Sequence, residues 1–117
     1  MSAAHYQLDN LIAIIDHNGL QSGGKVESIM NLTPLDEKWK SFGWHVQEVN
    51  GHNIGKLIEA VESARETKGR PSLIIACTIK GKGVSFMENN YMWHARIPSA
   101  EEEKKALKEL TEGMKKI

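Results

Sequence analysis

Asn18, Gly19 and Leu20 follow the apolar run Leu11-Ile12-Ala13-Ile14-Ile15 after a two-residue step, Asp16-His17. An asparagine side-chain oxygen and a main-chain carbonyl two residues on can both point at one ion. Such neutral oxygens suit Mg²⁺ or Ca²⁺ where phosphates or a carboxylate bring the negative charge. The other reading of these residues is a polar turn in which Asn18 and Gly19 accept positive φ. A second apolar run, Leu73-Ile74-Ile75-Ala76-Cys77-Thr78, leads into Lys80-Gly81-Lys82-Gly83. The glycines let backbone approach a ligand closely, and lysine is a point charge suited to phosphate. A basic, solvent-exposed turn is the simpler account of the same residues. The stretch is neither a GxxxxGK phosphate loop nor a GxGxxG turn. His94, next to Trp93, taken alone reads as a buried histidine bonded to a carbonyl.

The remaining candidates carry less. His5, His17, His45 and His52 have no metal spacing of the HExxH kind. His45 reads as a sheet residue and His52 as part of a turn. Cys77 falls inside an apolar run and reads as core. No serine or cysteine nucleophile comes with a base and an orienting group.

Composition narrows the classes. The chain has 117 residues, 40% hydrophobic and 26% charged, enough for one domain with a buried core. Fifteen basic residues against fifteen acidic ones give a formal net charge of zero, which argues against nucleic acid or a membrane surface as partner. One cysteine excludes an internal disulfide and a cysteine-based zinc site. No apolar run approaches the roughly 18 residues of a membrane span. MSAAHYQLDN lacks the basic start and apolar stretch of a secretory signal, so the expected location is cytoplasmic.

The elements that must position these residues follow from periodicity. The two apolar runs are short and β-branched, as in parallel strands covered on both faces. A third strand, from Trp44 to Val49, alternates, with Trp44, Val46 and Glu48 on one face. Ile54, Leu57, Ile58, Val61 and Ala64 recur at helical steps up to about Arg65, capped by Asn53 and stopped by Gly69-Arg70-Pro71. A shorter helix is expected from Pro34 or Leu35 to Ser41, ending at Gly43. A terminal helix starts at Ser99, with Glu101, Glu102 and Glu103 early and Lys104, Lys105, Lys108, Lys115 and Lys116 later, as the helix dipole favours. Strands alternating with helices imply an α/β fold, a three-layer parallel sheet with flanking helices. Ligands bind beyond the carboxyl ends of such strands, so the loops Asp16 to Leu32 and Lys80 to Pro98 are where function is expected.

Taken together, the two loops resemble a known family. Leu8-Asp9-Asn10-Leu11-Ile12-Ala13-Ile14-Ile15-Asp16-His17-Asn18-Gly19-Leu20-Gln21 resembles the second half of the thiamine diphosphate motif of transketolases. Phe42-Gly43-Trp44-His45 and Val49-Asn50-Gly51-His52 resemble that family's next strand and turn. Thr78-Ile79-Lys80-Gly81-Lys82-Gly83 through Trp93-His94 resembles its cofactor-proximal loop. The similarity runs in order along nearly the whole chain and is closest to transketolases split into N-terminal and C-terminal subunits.

The resemblance implies roles. Asn18 matches the asparagine that ligates Mg²⁺, and Leu20 the residue whose carbonyl is a further ligand. Lys80 matches a lysine close to thiamine diphosphate. His94 matches a histidine that contacts cofactor and sugar substrate near the reacting carbon, and so stands as the catalytic candidate. The motif's opening Gly-Asp-Gly, whose aspartate is the charged metal ligand, is not found here, and seventeen residues precede Asn18. The expectation is that residues 1–117 are the C-terminal part of a transketolase-like diphosphate-binding domain, as a fragment or a truncated product. Its partners would be the missing N-terminal part, sugar phosphates and a companion C-terminal transketolase subunit. A bared edge of the first strand, at Ile12, Ile14 and Ile15, also predicts association, including a homo-oligomer.

The implied activity is transfer of a two-carbon ketol unit between sugar phosphates in the pentose phosphate pathway. Two other readings stand beside it: a non-catalytic α/β interaction module derived from such an enzyme, and a nucleotide-binding half-domain. The half-domain lacks the glycine-rich strand-to-helix turn it would need.

Overall fold

The structure is a computed structural model, and it describes residues 1–114. Lys115 and Lys116, expected at the basic end of the last helix, lie outside the described residues. In chain order the elements are α1 (Ser2–His5), β1 (Ile12–His17), β2 (Leu20–Gln21), β3 (Gly24–Lys25), α2 (Val26–Ile29), α3 (Leu35–Ser41), β4 (His45–Asn50), α4 (Ile54–Glu66), β5 (Ser72–Cys77), a 3-10 turn (Tyr91–His94) and α5 (Ala100–Met114). They divide into two compact units. One comprises Met1–His17 and Leu32–Thr78, the other Asn18–Asn31 and the chain from Ile79 on.

The first unit is a parallel sheet in the order β1-β5-β4. The last strand in sequence is therefore central. Ser72, Leu73, Ile74, Ile75 and Ala76 are all buried, as a continuous β-branched run requires. The register sets Ala13, Leu73 and Val46 in one row and Ile14, Ile74 and Gln47 in the next, so neighbouring rows face opposite sides. Leu73, Ile75 and Trp44 form a core with Ala13, Ile15 and Val46, closed by Ala3 and Ala4 of α1 and Leu35 and Trp39 of α3. Trp39 meets Trp44 edge-on at 4.8 Å. On the other face Gln47 Nε2 donates to the Ala60 carbonyl of α4 (3.1 Å), whose Ala60 and Ala64 are buried. Helices thus cover both faces of the sheet, the three-layer arrangement the alternation of elements predicts.

The edges of the elements follow local chemistry. Asn53 Oδ1 accepts the Lys56 N–H at 3.0 Å and caps α4 as expected. Gly43, at φ +86°, ends α3 in a conformation that suits glycine, and a Cβ there would lie 3.2 Å from the Ala4 methyl. β1 is an edge strand, and its Ile14 is 58% exposed while Ile12 and Ile15 are half-buried. β1 also runs on through Asp16 and His17, which the apolar pattern alone leaves in the loop. His17 and Cys77 end β1 and β5 side by side, and the Thr78 hydroxyl donates to the Asp16 carboxylate there.

The second unit is built from short pieces. β2 and β3 form a two-residue antiparallel hairpin, followed by the single helical turn α2. Neither was legible as periodicity, because neither is long enough to show any. α5 begins with a reciprocal capping box: Ser99 N–H donates to Glu102 Oε2 (2.8 Å) and Glu102 N–H to Ser99 Oγ (3.3 Å). Glu101, Glu102 and Glu103 occupy its first turn, as the dipole favours. No helix among the described residues is long and apolar enough to cross a membrane.

Candidate functional site

All four residues singled out for chemistry, Asn18, Leu20, Lys80 and His94, fall in the second unit. Asn18, Leu20 and Lys80 are half-buried and His94 is exposed. Asn18 Oδ1 accepts the main-chain N–H of Leu20 at 2.8 Å, a turn closed by the side chain. Gly19, at φ +72°, supplies the left-handed residue inside it. The expected positive φ is therefore Gly19's, and Asn18 contributes its amide oxygen instead.

The hairpin orients Leu20. Leu20 faces Lys25 across β2 and β3, and the Val26 N–H donates to the Gly19 carbonyl (3.0 Å). That bond marks Leu20 and Lys25 as a pair that exchanges no ladder hydrogen bonds. The N–H and C=O of Leu20 therefore both turn to the outer side of β2, where the Asn18 amide oxygen already sits. Two neutral oxygens share that side, the donor type a hard divalent cation takes. They would supply two of the oxygens such a cation takes, leaving the charge to a phosphate or carboxylate from elsewhere. Among the described residues no three of His, Cys, Asp and Glu cluster as a metal site.

Lys80 and His94 stand at the two ends of one folded loop. The Asn89 N–H returns to the Lys80 carbonyl (3.0 Å), with Asn89 at φ +53° and Gly81 at φ +72°. A Cβ on Gly81 would lie 2.6 Å from the Met87 carbonyl oxygen, so this crossing demands glycine. Asn90 Oδ1 then accepts the Met92 N–H (3.0 Å) and starts the 3-10 turn that ends at His94. Trp93 packs edge-on against Phe86 at 5.4 Å and its indole N–H donates to the Phe86 carbonyl (3.1 Å). His94 is thus not the buried, carbonyl-bonded histidine that local reading suggested. Residues of β2 approach those of the Tyr91–His94 turn within 8 Å between Cα atoms.

Other candidates recede. The Cys77 thiol is half-buried at the end of β5 rather than core, and it donates to Glu48 Oε1 (3.4 Å). Burial, then that carboxylate, pushes its pKa up, the reverse of nucleophile activation. His45 lies in β4 as expected, and burial together with Arg70 pushes its pKa down. A shallow apolar groove on α4, lined by Ile54, Leu57, Ile58, Val61 and Glu62, holds none of the residues picked for chemistry. Ser85 and Glu109, which tie the loop to α5, were missed in the sequence. A serine in a loop and a glutamate in a charged helix carry no signal of that pairing.

The family described as transketolase, thiamine diphosphate binding domain, matches residues 1–115. The chain is 42% identical over 117 residues to one subunit of the apulose-4-phosphate transketolase of Phocaeicola vulgatus, covering all of this chain and 42% of that protein. It is 44% identical over 113 residues to the 6-deoxy-6-sulfo-D-fructose transketolase subunit SqwG of Clostridium sp. strain MSTE9, covering 88% of this chain and 41% of that protein. Among solved structures, the transketolase of Campylobacter jejuni superposes with a TM-score of 0.86 at 30% identity, over 94% of this chain and 17% of that one. The chain spans less than half the length of the curated relatives it matches. It belongs to the thiamine diphosphate-binding domain family of the transketolases.

Proposed function

We propose that this chain is the C-terminal part of the diphosphate-binding domain of a Mg²⁺-dependent transketolase, which moves a two-carbon ketol unit between sugar phosphates. The observation that carries the reading is the Asn18–Leu20 turn, whose two oxygens share one side of β2 next to the segment ending in His94. Asn18 Oδ1 and the Leu20 carbonyl would hold Mg²⁺, and Lys80 would place its ammonium beside the diphosphate. When bound, thiamine diphosphate supplies the carbon nucleophile that accepts and releases the ketol unit. His94, exposed at the end of its loop, would hydrogen-bond the sugar near the reacting carbon and steady charge on its oxygen as bonds change.

The partner is a companion transketolase chain. Support comes from the relatives, which are named as single subunits of their transketolases. Association through the β1 edge, where Ile14 stands exposed, extends that reading to a homo-oligomer. The relatives' names carry apulose 4-phosphate and 6-deoxy-6-sulfo-D-fructose, so the sugar recognised here is one bearing a phosphate or similar anionic group.

The test is ketol transfer by the full-length subunit with its companion. His94→Ala is expected to lower kcat at least tenfold, the scale of one lost transition-state contact of about 1.4 kcal/mol, while cofactor binding persists. Unchanged turnover in that variant removes His94 from the reaction.

A further inference from the structure

The loop between Lys80 and His94 is fastened to one stripe of α5. Glu109 receives two hydrogen bonds from Ser85, the main-chain N–H to Oε2 (2.5 Å) and the hydroxyl to Oε1 (2.9 Å). One turn earlier, Lys105 sits 5.0 Å from the Phe86 ring centroid. Earlier still, Glu102 accepts from Arg96 Nη2 (2.5 Å), and Arg96 lies over the Trp93 ring at 4.3 Å. Residues 102, 105 and 109 step by three and four, so they share one helix face. Leu110 closes the stripe against Gly83, where a Cβ would come within 3.1 Å of its side chain.

These ties differ in kind. The Lys105 and Arg96 contacts are exposed cation–aromatic pairs, weak and replaceable. Glu109 engages main chain and side chain of one residue with both carboxylate oxygens, which fixes position as well as distance. Ser85 lies between Gly83, whose N–H donates to Glu88 Oε1 (3.0 Å), and Phe86, whose carbonyl holds the Trp93 indole. Fixing Ser85 therefore fixes both branches of the loop, the one returning to Lys80 and the one ending at His94.

We infer that Glu109 is a positioning residue of the cofactor loop, acting through Ser85 to hold Lys80 and His94 in register with the Asn18–Leu20 turn. The inference rests on the function proposed above. Glu109 touches neither cofactor nor substrate in this role. Its loss leaves the chemical groups present and loosens their placement.

The experiment uses the full-length subunit with its companion and compares Glu109→Ala, Glu109→Gln and Ser85→Ala with the unaltered protein. Amide hydrogen exchange reads Ser85 directly, and titration with thiamine diphosphate and Mg²⁺ reads the consequence. Glu109→Ala is expected to speed Ser85 exchange and weaken cofactor binding about tenfold, with kcat at saturating cofactor falling less. Glu109→Gln, which keeps one acceptor oxygen, should recover part of both. Ser85→Ala, which loses the hydroxyl bond and keeps the main-chain one, should shift both in the same direction by a smaller amount, and an unchanged far-ultraviolet circular dichroism spectrum in all three variants excludes a folding defect. Faster exchange with unchanged binding and turnover overturns the positioning role while leaving the proposed function standing. If Asn18→Ala binds cofactor normally in the same assay, the proposed function falls and the positioning role falls with it.

Discussion

The Asn18 amide oxygen accepts the Leu20 N–H at 2.8 Å, and Leu20's own carbonyl faces the same side of the hairpin. That hydrogen bond shapes the turn and keeps the Asn18 oxygen on the outer side of β2. The Asn18 oxygen keeps a second lone pair for another partner.

Gly81→Ala should damage the loop that joins Lys80 to His94. At φ +72° an L-residue costs about 1–2 kcal/mol in backbone strain alone. The new Cβ would also lie 2.6 Å from the Met87 carbonyl oxygen, a contact that forces the backbone to shift. Amide exchange across residues 81–90 should accelerate while exchange in β5 stays slow. Uniform protection of both segments would contradict this account of the loop.

The isolated chain should self-associate through the β1 edge. Ile14 is 58% exposed in a strand whose partner β5 lies on one side, and exposed edges template pairing. Light scattering at high concentration is expected to show an oligomer, and Ile14→Lys to shift it toward monomer, since edge lysines oppose pairing. A monomer at high concentration in the unaltered chain refutes the prediction.

Acid should loosen the tie between Ser85 and α5. The two Ser85 hydrogen bonds, main-chain first, hold the Glu109 carboxyl below its ordinary value of 4.5, with Lys105 adding to the effect and Glu88 opposing it. The folded pKa is lowered, so the stabilisation is full above that ordinary value. It fades as pH falls through the depressed folded value. Ser85 amide protection, corrected for intrinsic rates, should therefore drop below about pH 4.5 in the unaltered protein and show little such step in Glu109→Gln. The same step in both would assign it to another group, Glu102 being the first to consider because Ser99 and Arg96 depress it likewise.

Much of this architecture is legible in the amino-acid sequence. The β-branched run Leu73–Cys77 announced a strand buried on both faces, and it is the central one. Asn53 and Ser99 marked helix starts that the hydrogen bonds reproduce. The strand order was not legible, because nothing in Leu11–Ile15 or Trp44–Val49 says that β5 lies between them. Ile14 looks like Ile74 in sequence but differs in burial through its place at the edge. Asn18, Leu20, Lys80 and His94 take their proposed roles only from family resemblance, since each alone has a plainer explanation. The hairpin Leu20–Lys25 and the Ser85–Glu109 tie stayed hidden, because two-residue strands and side-chain pairs 24 positions apart leave no periodic trace.

The central claim is that Asn18 gathers a metal-bound diphosphate, and calorimetric titration of the full-length subunit with its companion tests it most directly. With thiamine diphosphate in the cell and Mg²⁺ as titrant, Asn18→Ala is expected to weaken binding at least tenfold, about 1.4 kcal/mol or more. Asn18→Ala binding Mg²⁺ and cofactor as tightly as the unaltered protein would contradict the account.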